Sequence, residues 1–517
     1  MKRVVLYATL FLVFIGANEP RSQTGAVEAS PYGLAPGTFS VGFRLQENLD
    51  HSRAVTGGSA DSLAHPRPVR TYLWYPARRT DDEQPMHLAH YAALADDDIW
   101  PAGIVGDLHN QLNYSRRALA RSLGPAGFEA LLKRPVLALE AAQALPGPFP
   151  LIIIAQGLYY ESPVAFVALA EYLAGRGFVV ATCPLVGTNS PLVRIDIRDL
   201  ETQVRDLEFV IARARRLAFV SQEKLGVFGF DMGGMAGLIL TMRNPDVDAF
   251  VSVSSGILFR HPSGVPTDSP HYNPLAIRVP WLHSVPTDWT TRQQGPETQS
   301  LFDSAIHSDR YLLLTEGMGH VDYTGYALIE DRAEIRGYWS ASDPVGAAGH
   351  KAVAQYIANF FKAFLAEDTA STAFLAKSPA ESVPGSTMTL EHRPASAGSI
   401  TYEGFVQAIV AGQAGQAIDA VRSLQESHAD HVLLQEMVLE RLVWSLRNTW
   451  GMTDEALPVI RLWLELYPLS IGAQIMLAES HIDVGDFAAA IAIYSRLSQD
   501  DPDNGYFKFR LDWLQSL

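Results

Sequence analysis

The feature that most constrains the fold is a ten-residue run from Leu225 to Gly234, with the sequence Leu-Gly-Val-Phe-Gly-Phe-Asp-Met-Gly-Gly. An apolar strand leads into Gly229-x-Asp231-x-Gly233-Gly234, and an apolar helical pattern follows. Small residues are needed there because the turn brings the strand and the helix so close that larger side chains would clash. The strained turn pushes its central side chain out at the end of the sheet. The run therefore predicts a strand–turn–helix unit that presents the carboxylate of Asp231.

The region from residue 31 to residue 367 alternates apolar, β-branched runs with helical patterns, as a parallel sheet with crossover helices requires. The closing helix, Gly349–Leu365, has its apolar residues on one face. Further helices are predicted at Pro163–Ala174, Leu200–Leu217 and Gly234–Arg243. Eight strands are predicted: Thr38–Leu45, Val69–Tyr75, Leu151–Ala155, Phe178–Thr182, Leu225–Phe228, Ala249–Ser252, Pro280–His283 and Tyr311–Thr315.

Two later strands each lead into a loop that carries a candidate catalytic residue. The segment Val279–Asp288 is a strand and a loop that ends on Asp288, and the segment Tyr311–His320 is a strand and a Gly-Met-Gly loop that ends on His320. The two candidates follow Asp231 in the chain order nucleophile, acid, histidine. Asp322 lies two residues beyond His320, so the acid that orients the histidine is either Asp288 or Asp322.

The loop after the Leu151–Ala155 strand has the sequence Gln-Gly-Leu-Tyr-Tyr from residue 156 to residue 160. The turn that presents Asp231 is called the nucleophile elbow. The backbone N–H of Leu158 and that of Met232, the residue after Asp231, are a candidate donor pair for an oxyanion hole. Tyr159 and Tyr160 follow directly, and they either line a substrate site or pack in the core.

Together with the strand end Trp74-Tyr75-Pro76-Ala77, these motifs resemble the α/β-hydrolase superfamily, in its dienelactone hydrolase and platelet-activating-factor acetylhydrolase branch. The resemblance covers roughly residues 37 to 365. It implies an α/β-hydrolase fold, which is a mostly parallel sheet with helices on both faces. It also implies hydrolysis of a small organic ester by a Ser-Asp-His arrangement, with neither a cofactor nor a metal.

The chain departs from that branch at the elbow, where its relatives have serine and this sequence has Asp231. A carboxylate that attacked an ester carbonyl would form a high-energy anhydride, so the usual esterase route is in doubt. Ser254 and Ser255 follow the next strand, and neither occupies the elbow position.

Aspartate at the elbow has chemistry of its own in this superfamily. Haloalkane dehalogenases and epoxide hydrolases use it to attack an sp³ carbon, and a histidine then activates water to hydrolyse the alkyl-enzyme ester. The helix N-terminus beneath the elbow favours an ionised Asp231 by ~0.3–1 kcal/mol. Met232 stands where dehalogenases tend to have tryptophan. Three hypotheses follow: an Asp231 nucleophile with His320 as base, an Asp231–His320 pair that activates water directly, or a catalytically silent binding module.

The remainder of the chain separates into a linker and a helical region. Residues 368–399 are rich in Ser, Thr, Pro, Ala and Gly, without periodicity, and predict a linker. Residues 400–517 contain a 34-residue period that resembles tetratricopeptide repeats. Such repeats either form a groove for a protein partner or brace the hydrolase domain. The period is seen in Gly451, Ala456, Ile460, Trp463 and Pro468, which recur as Gly485, Ala490, Tyr494, Leu497 and Pro502.

The N-terminal residues and the net charge bear on location and partners. Lys2 and Arg3, an apolar run and Gly16-Ala17 predict a cleaved signal peptide over residues 1–17 and a secreted or periplasmic protein. The alternative is an uncleaved anchor. A net charge of −16 without a basic run argues against nucleic-acid binding. The lone cysteine, Cys183, cannot form an internal disulfide and is predicted to be a small buried residue.

Overall fold

The computed structural model describes residues 32–55, 65–97, 114–158, 162–190, 193–258, 265–288, 301–328, 343–395, 400–427 and 431–516. The predicted signal peptide, residues 1–17, lies outside these ranges, as do Tyr159 and Tyr160. Export and a substrate-binding role for the two tyrosines therefore stay predictions. Within the described ranges, no helix combines the length and the apolar character needed to cross a bilayer.

The strands of the described residues form one sheet. They are β1 (Ser40–Val55), β2 (His65–Ala77), β3 (Ala138–Glu140), β4 (Phe149–Ala155), β5 (Val179–Thr182), β6 (Val220–Phe230), β7 (Ala249–Val253), β8 (Trp281–Pro286), β9 (Arg310–Thr315) and β10 (Thr389–Arg393).

The helices of the first part of the chain surround this sheet. They are α1 (Leu88–Asp97), α2 (Tyr114–Leu132), α3 (Val167–Ala174), α4 (Ile197–Ala214), α5 (Met232–Arg243), α6 (Leu301–Ser304), α7 (Asp343–Leu365), α8 (Thr369–Leu375) and α9 (Pro379–Ser382). Short 3₁₀ turns include Pro163–Phe166, which leads into α3, and His320–Tyr323, which follows β9.

The strand order across the sheet is β3-β1-β2-β5-β4-β6-β7-β8-β9-β10. The strands from β5 to β9 pair in parallel, whereas β1 with β2, β2 with β5, and β9 with β10 are antiparallel. Strand β5 pairs with β2, and β4 pairs with β6, so β4 and β5 are out of chain order in the sheet. Strand β6 therefore lies next to β4 in the middle of the sheet. This mostly parallel sheet with helices on both faces confirms the predicted α/β-hydrolase fold class.

The parallel strands are apolar on both faces because helices cover both. Along β4, Ile152 and Ile154 belong to the core on the side of α3 and α7, whereas Leu151 and Ile153 belong to the core on the side of α4 and α5. Cys183 is buried in the second of these cores, as predicted. The carboxyl ends of β4, β6, β7 and β9 therefore meet at one edge of a well-packed sheet.

The residues that predicted a linker have regular structure over much of their length. Helices α8 and α9 follow the closing helix, and β10 pairs with β9 and extends the sheet by one strand. The structure differs from the prediction because an edge strand with charged and half-exposed residues carries no hydrophobic period.

The C-terminal region is helical and has its own apolar cores. Its helices follow one another in pairs and pack on their neighbours. Gly412, Gly451 and Gly485 all have a positive φ at the turns within the pairs, which glycine adopts without strain. The helices are α10 (Tyr402–Val410), α11 (Ala414–Ser427), α12 (Glu436–Trp444), α13 (Thr453–Leu466), α14 (Ile471–Asp483), α15 (Phe487–Asp500) and α16 (Gly505–Gln515).

Candidate active site

Asp231 lies at the turn between β6 and α5, in a backbone conformation that is rare for a residue with a side chain. Its φ is 52° and its ψ is −119°. The two flanking glycines make the turn possible, because a Cβ on Gly229 would lie 2.2 Å from the carbonyl oxygen of Gly233, and a Cβ on Gly233 would lie 2.2 Å from that of Ala155. A strained residue that the surrounding structure holds in place is typical of functional sites.

The carboxylate of Asp231 meets the loop after β4. The backbone N–H of Leu158 donates a hydrogen bond of 3.0 Å to its Oδ2. Gly157 lets the loop come this close, since a Cβ there would lie 2.6 Å from the Cβ of Asp231. One of the two amides predicted for an oxyanion hole thus binds the carboxylate itself.

Met232, the other predicted donor, is the first residue of α5, and its side chain is buried. Its N–H belongs to the first turn of the helix, whose amides have no partner within the helix. The positive end of the helix dipole lies there and favours an ionised Asp231.

His320 begins the 3₁₀ turn that follows β9. Its ring stacks on Phe230, the residue before Asp231, with the ring centres 4.7 Å apart. Burial lowers the pKa of His320, and the charge of Asp231 acts in the opposite direction. The imidazole is therefore neutral near pH 7, which is the form that can accept a proton.

The Nδ1 atom of His320 lies 2.8 Å from the hydroxyl oxygen of Ser254. Ser254 follows β7, is fully buried and has a φ of 45°. The next residue, Ser255, donates a hydrogen bond of 2.7 Å to the backbone carbonyl of Asp231. The two serines after β7 thus reach the histidine and the elbow from the same turn.

Sequence reasoning considered these serines only as substitute nucleophiles and missed their contacts with the site. The available signal was topological. Residues that follow neighbouring parallel strands lie at the same edge of the sheet, and β7 is next to β6. A serine after a strand is too common for that signal to have singled out Ser254.

The two candidate acids lie in different surroundings. Asp322 is fully buried, and its Oδ2 accepts a hydrogen bond of 2.7 Å from the N–H of Gly319, which fixes the turn that carries His320. Asp288 lies after β8 and is exposed. The structure brings Asp231, Leu158 and His320 together at one edge of the sheet. The role of Asp288 as the orienting acid stays a prediction.

Within the described ranges, no three His, Cys, Asp or Glu side chains are grouped in a way that could hold a metal ion. The chemistry that the described residues offer is that of a carboxylate, a backbone amide donor and a neutral imidazole.

Comparisons with known proteins return a structural likeness. No protein-family model matches the chain, and no curated protein matches it. Among solved structures, the chain is similar to a ferulic acid esterase from Streptomyces cinnamoneus, with 19% sequence identity and a TM-score of 0.47. The match covers 67% of this chain and 93% of the esterase. The fold assignment rests on the strand order and on the turn that presents Asp231. The activity named for the esterase is a property of that protein.

Proposed function

We propose that the protein is a hydrolase in which Asp231 is the nucleophile and His320 the general base, acting on a small organic substrate at an sp³ carbon. The observation that carries the proposal is the hydrogen bond from the N–H of Leu158 to Oδ2 of Asp231. It distinguishes the two carboxylate oxygens, because the amide of Leu158 binds Oδ2. In the proposed reaction Oδ1 is the attacking oxygen.

In the first step, Oδ1 of Asp231 bonds to the sp³ carbon, and the electron pair of the broken bond goes to the leaving group. A halide departs as the ion, whereas an epoxide oxygen stays attached to the substrate and takes a proton from solvent. The product is an alkyl ester of Asp231. An alkyl halide or an epoxide has a carbon of this kind, whereas attack on an ester carbonyl would give an anhydride.

In the second step, His320 takes a proton from a water molecule, and the resulting hydroxide attacks Cγ of Asp231. The negative charge of the tetrahedral intermediate develops on Oδ2, which is the oxygen that Leu158 already binds. Backbone donors aimed at a developing oxyanion are worth ~10²–10³ in rate each. The intermediate then collapses: the Cγ–Oδ1 bond breaks, and the alcohol leaves with the proton from His320. The remaining proton on the Asp231 carboxyl group is released to solvent, which restores the carboxylate.

The test is a single turnover in H₂¹⁸O, with excess enzyme, on a panel of epoxides, alkyl halides and esters. Because water attacks Cγ of Asp231, the first turnover should put ¹⁸O into the Asp231 carboxylate and leave the product alcohol unlabelled. Peptide mass spectrometry locates the label. Direct activation of water by the Asp231–His320 pair would instead label the alcohol, and that result would overturn the nucleophile assignment.

Two variants separate the steps. Asp231→Asn should form no adduct, because a neutral amide is a poor nucleophile. His320→Gln should accumulate the alkyl-enzyme ester, since only its hydrolysis needs the base. The surface variant Asp246→Asn is the matched control. If no member of the panel gives an adduct with wild type or His320→Gln, the result favours a silent binding module.

A further inference from the structure

The turn after β7 contacts His320 through Ser254, and this contact has no role in the two proposed steps. The hydroxyl of Ser254 lies 2.8 Å from Nδ1 of His320. The backbone N–H of Ser254 donates a hydrogen bond of 2.7 Å to the carbonyl of Ser284 on β8, so the turn is tied to the next strand. The backbone of Ser254 is therefore held in place although it has a positive φ.

We propose that Ser254 is the positioning residue of His320, and that its hydroxyl allows the neutral imidazole to carry its proton on either nitrogen. The first part rests on the geometry. The use of both tautomers rests on the proposed function, in which the group opposite the imidazole changes between the two steps.

A hydroxyl suits this role because it both donates and accepts hydrogen bonds, whereas a carboxylate only accepts. Before the reaction, the negative charge of Asp231 favours a proton on Nε2 of His320, and Ser254 donates to Nδ1. After Asp231 has become a neutral ester, Nε2 must accept a proton from water. One proton then moves through solvent from Nε2 to Nδ1, and the Ser254 hydroxyl rotates to accept from it.

Several charged or titratable groups lie around His320 on the packed elements. Asp231 is on the elbow, Asp322 is on the same turn as the histidine, Asp288 follows β8, and His350 on α7 has its Nδ1 3.0 Å from the carbonyl of Asp322. Among these described groups, Asp231 is the one whose charge shifts the pKa of His320. Ser254 holds Nδ1 without adding a charge.

The experiment is a pH titration of the full chain by NMR, with labelled histidine, in which the ring ¹⁵N shifts give both the pKa and the tautomer of His320. His320→Gln identifies the resonance. Ser254→Ala should change the tautomer ratio and the pKa. Ser254→Asp should raise the pKa of His320 by about one unit or more, because an opposite charge then lies beside Nδ1. The neutral Ser254→Asn should not produce this rise. Asn and Asp both tolerate a positive φ better than other residues with side chains.

Ser252→Ala is the matched control. Ser252 lies on β7, two residues before Ser254, is buried, and has its hydroxyl 2.8 Å from Nδ1 of His283, which lies outside the site. This variant removes an equivalent buried contact between a serine and a histidine. It should leave the titration of His320 as in the wild type.

The proposal is overturned if Ser254→Ala leaves the pKa and tautomer of His320 unchanged, or if Asp288→Asn shifts them more than Ser254→Ala does. The titration requires no turnover, so a failure to find any alkyl-enzyme ester would count against the proposed function and not against the role of Ser254. Where an ester does form, Ser254→Ala should slow its hydrolysis at least tenfold and leave its rate of formation within about twofold.

Discussion

Glu171 on α3 is a fully buried carboxylate outside the candidate site. It accepts hydrogen bonds from the hydroxyl of Tyr91 at 2.8 Å and from the backbone N–H groups of Leu137 at 2.9 Å and Ala138 at 3.3 Å. Burial raises its pKa from 4.5 to about 7, against the effect of these donors. The side chain of Glu171 thus joins α1 and the segment before β3 to the core. Its contribution to the free energy of unfolding depends on pH.

The first prediction concerns this dependence. Between pH 4.5 and pH 7, the unfolded chain loses the proton of Glu171 while the folded chain keeps it. The stabilisation is therefore complete below pH 4.5 and is lost as the pH rises through 7. A shift of this size corresponds to about 3 kcal/mol. In urea unfolding, the wild type should lose about 2–3 kcal/mol more than Glu171→Gln between pH 5 and pH 8.

Glu171→Gln should also be less stable at pH 5, because an amide nitrogen cannot accept the hydrogen bond that a carboxyl oxygen of Glu171 accepts. The buried donor left without an acceptor costs about 1–3 kcal/mol. Glu129→Gln is the control. Glu129 is exposed beside Lys133, and that partner lowers its pKa, whereas burial raises the pKa of Glu171. Equal pH slopes for wild type and Glu171→Gln would contradict the prediction.

At the scale of elements, the C-terminal helices give a second prediction, which tests the predicted repeat. Ala490 on α15 is fully buried, and Gly485 before it has a φ of 78°. A larger side chain at residue 490 has to displace its neighbours, so Ala490→Leu should destabilise the helical region by ~1–3 kcal/mol. The control, Ala488→Leu, lies on an exposed face of the same helix. Calorimetry that finds the same melting temperature for both variants would show that the repeat register is wrong.

The elements that could be predicted from the sequence are those whose hydrophobic pattern is strong by itself. Strand β4 is a continuous apolar run, and the closing helix α7 has its apolar residues on one face. Strand β3 has three residues and β10 has charged, half-exposed ones, so neither has a pattern of its own. Both strands form because a neighbouring strand supplies hydrogen-bond partners for their backbone. This pairing cannot be inferred from the sequence of either segment alone.

The same distinction applies to the candidate site. Asp231 could be located from the sequence because the turn that presents it requires glycines at fixed positions. His320 could be located because it ends a glycine-containing loop after a strand. Ser254 contacts His320 across 66 residues of chain, and no spacing rule applies to such a contact. The hydrogen bond from Leu158 to Asp231 was likewise unpredictable, because it depends on how closely two loops approach.

For the whole molecule, the informative region is the junction between the sheet and the C-terminal helical region. The ring of His392 on β10 stacks on Tyr311 of β9 at 4.4 Å. Arg393 forms an ion pair with Asp303 on α6, and its guanidinium lies 5.5 Å from the ring centre of Phe302. Beyond β10, Arg278 pairs with Glu403 on α10 at 2.8 Å. The C-terminal helices are therefore connected to the sheet domain along the chain through β10 and by the ion pair between Arg278 and Glu403.

The last prediction tests how strongly β10 is fastened to the sheet. Arg393 and Asp303 are partly exposed, and such ion pairs are worth ~0.2–1 kcal/mol, so Arg393→Ala should raise hydrogen exchange over residues 389–393 by up to about fivefold. Exchange in β4 and β6 should stay unchanged. Arg422→Ala, which removes an exposed ion pair with Glu465 between C-terminal helices, is the control. The double variant Arg393→Ala/Asp303→Ala should exchange about as fast as Arg393→Ala alone, because the pair is already broken. Asp303→Ala alone should exchange as fast as Arg393→Ala, and an Asp303→Ala variant that exchanges like the wild type would mean that Arg393 holds β10 through the Phe302 ring and not through Asp303.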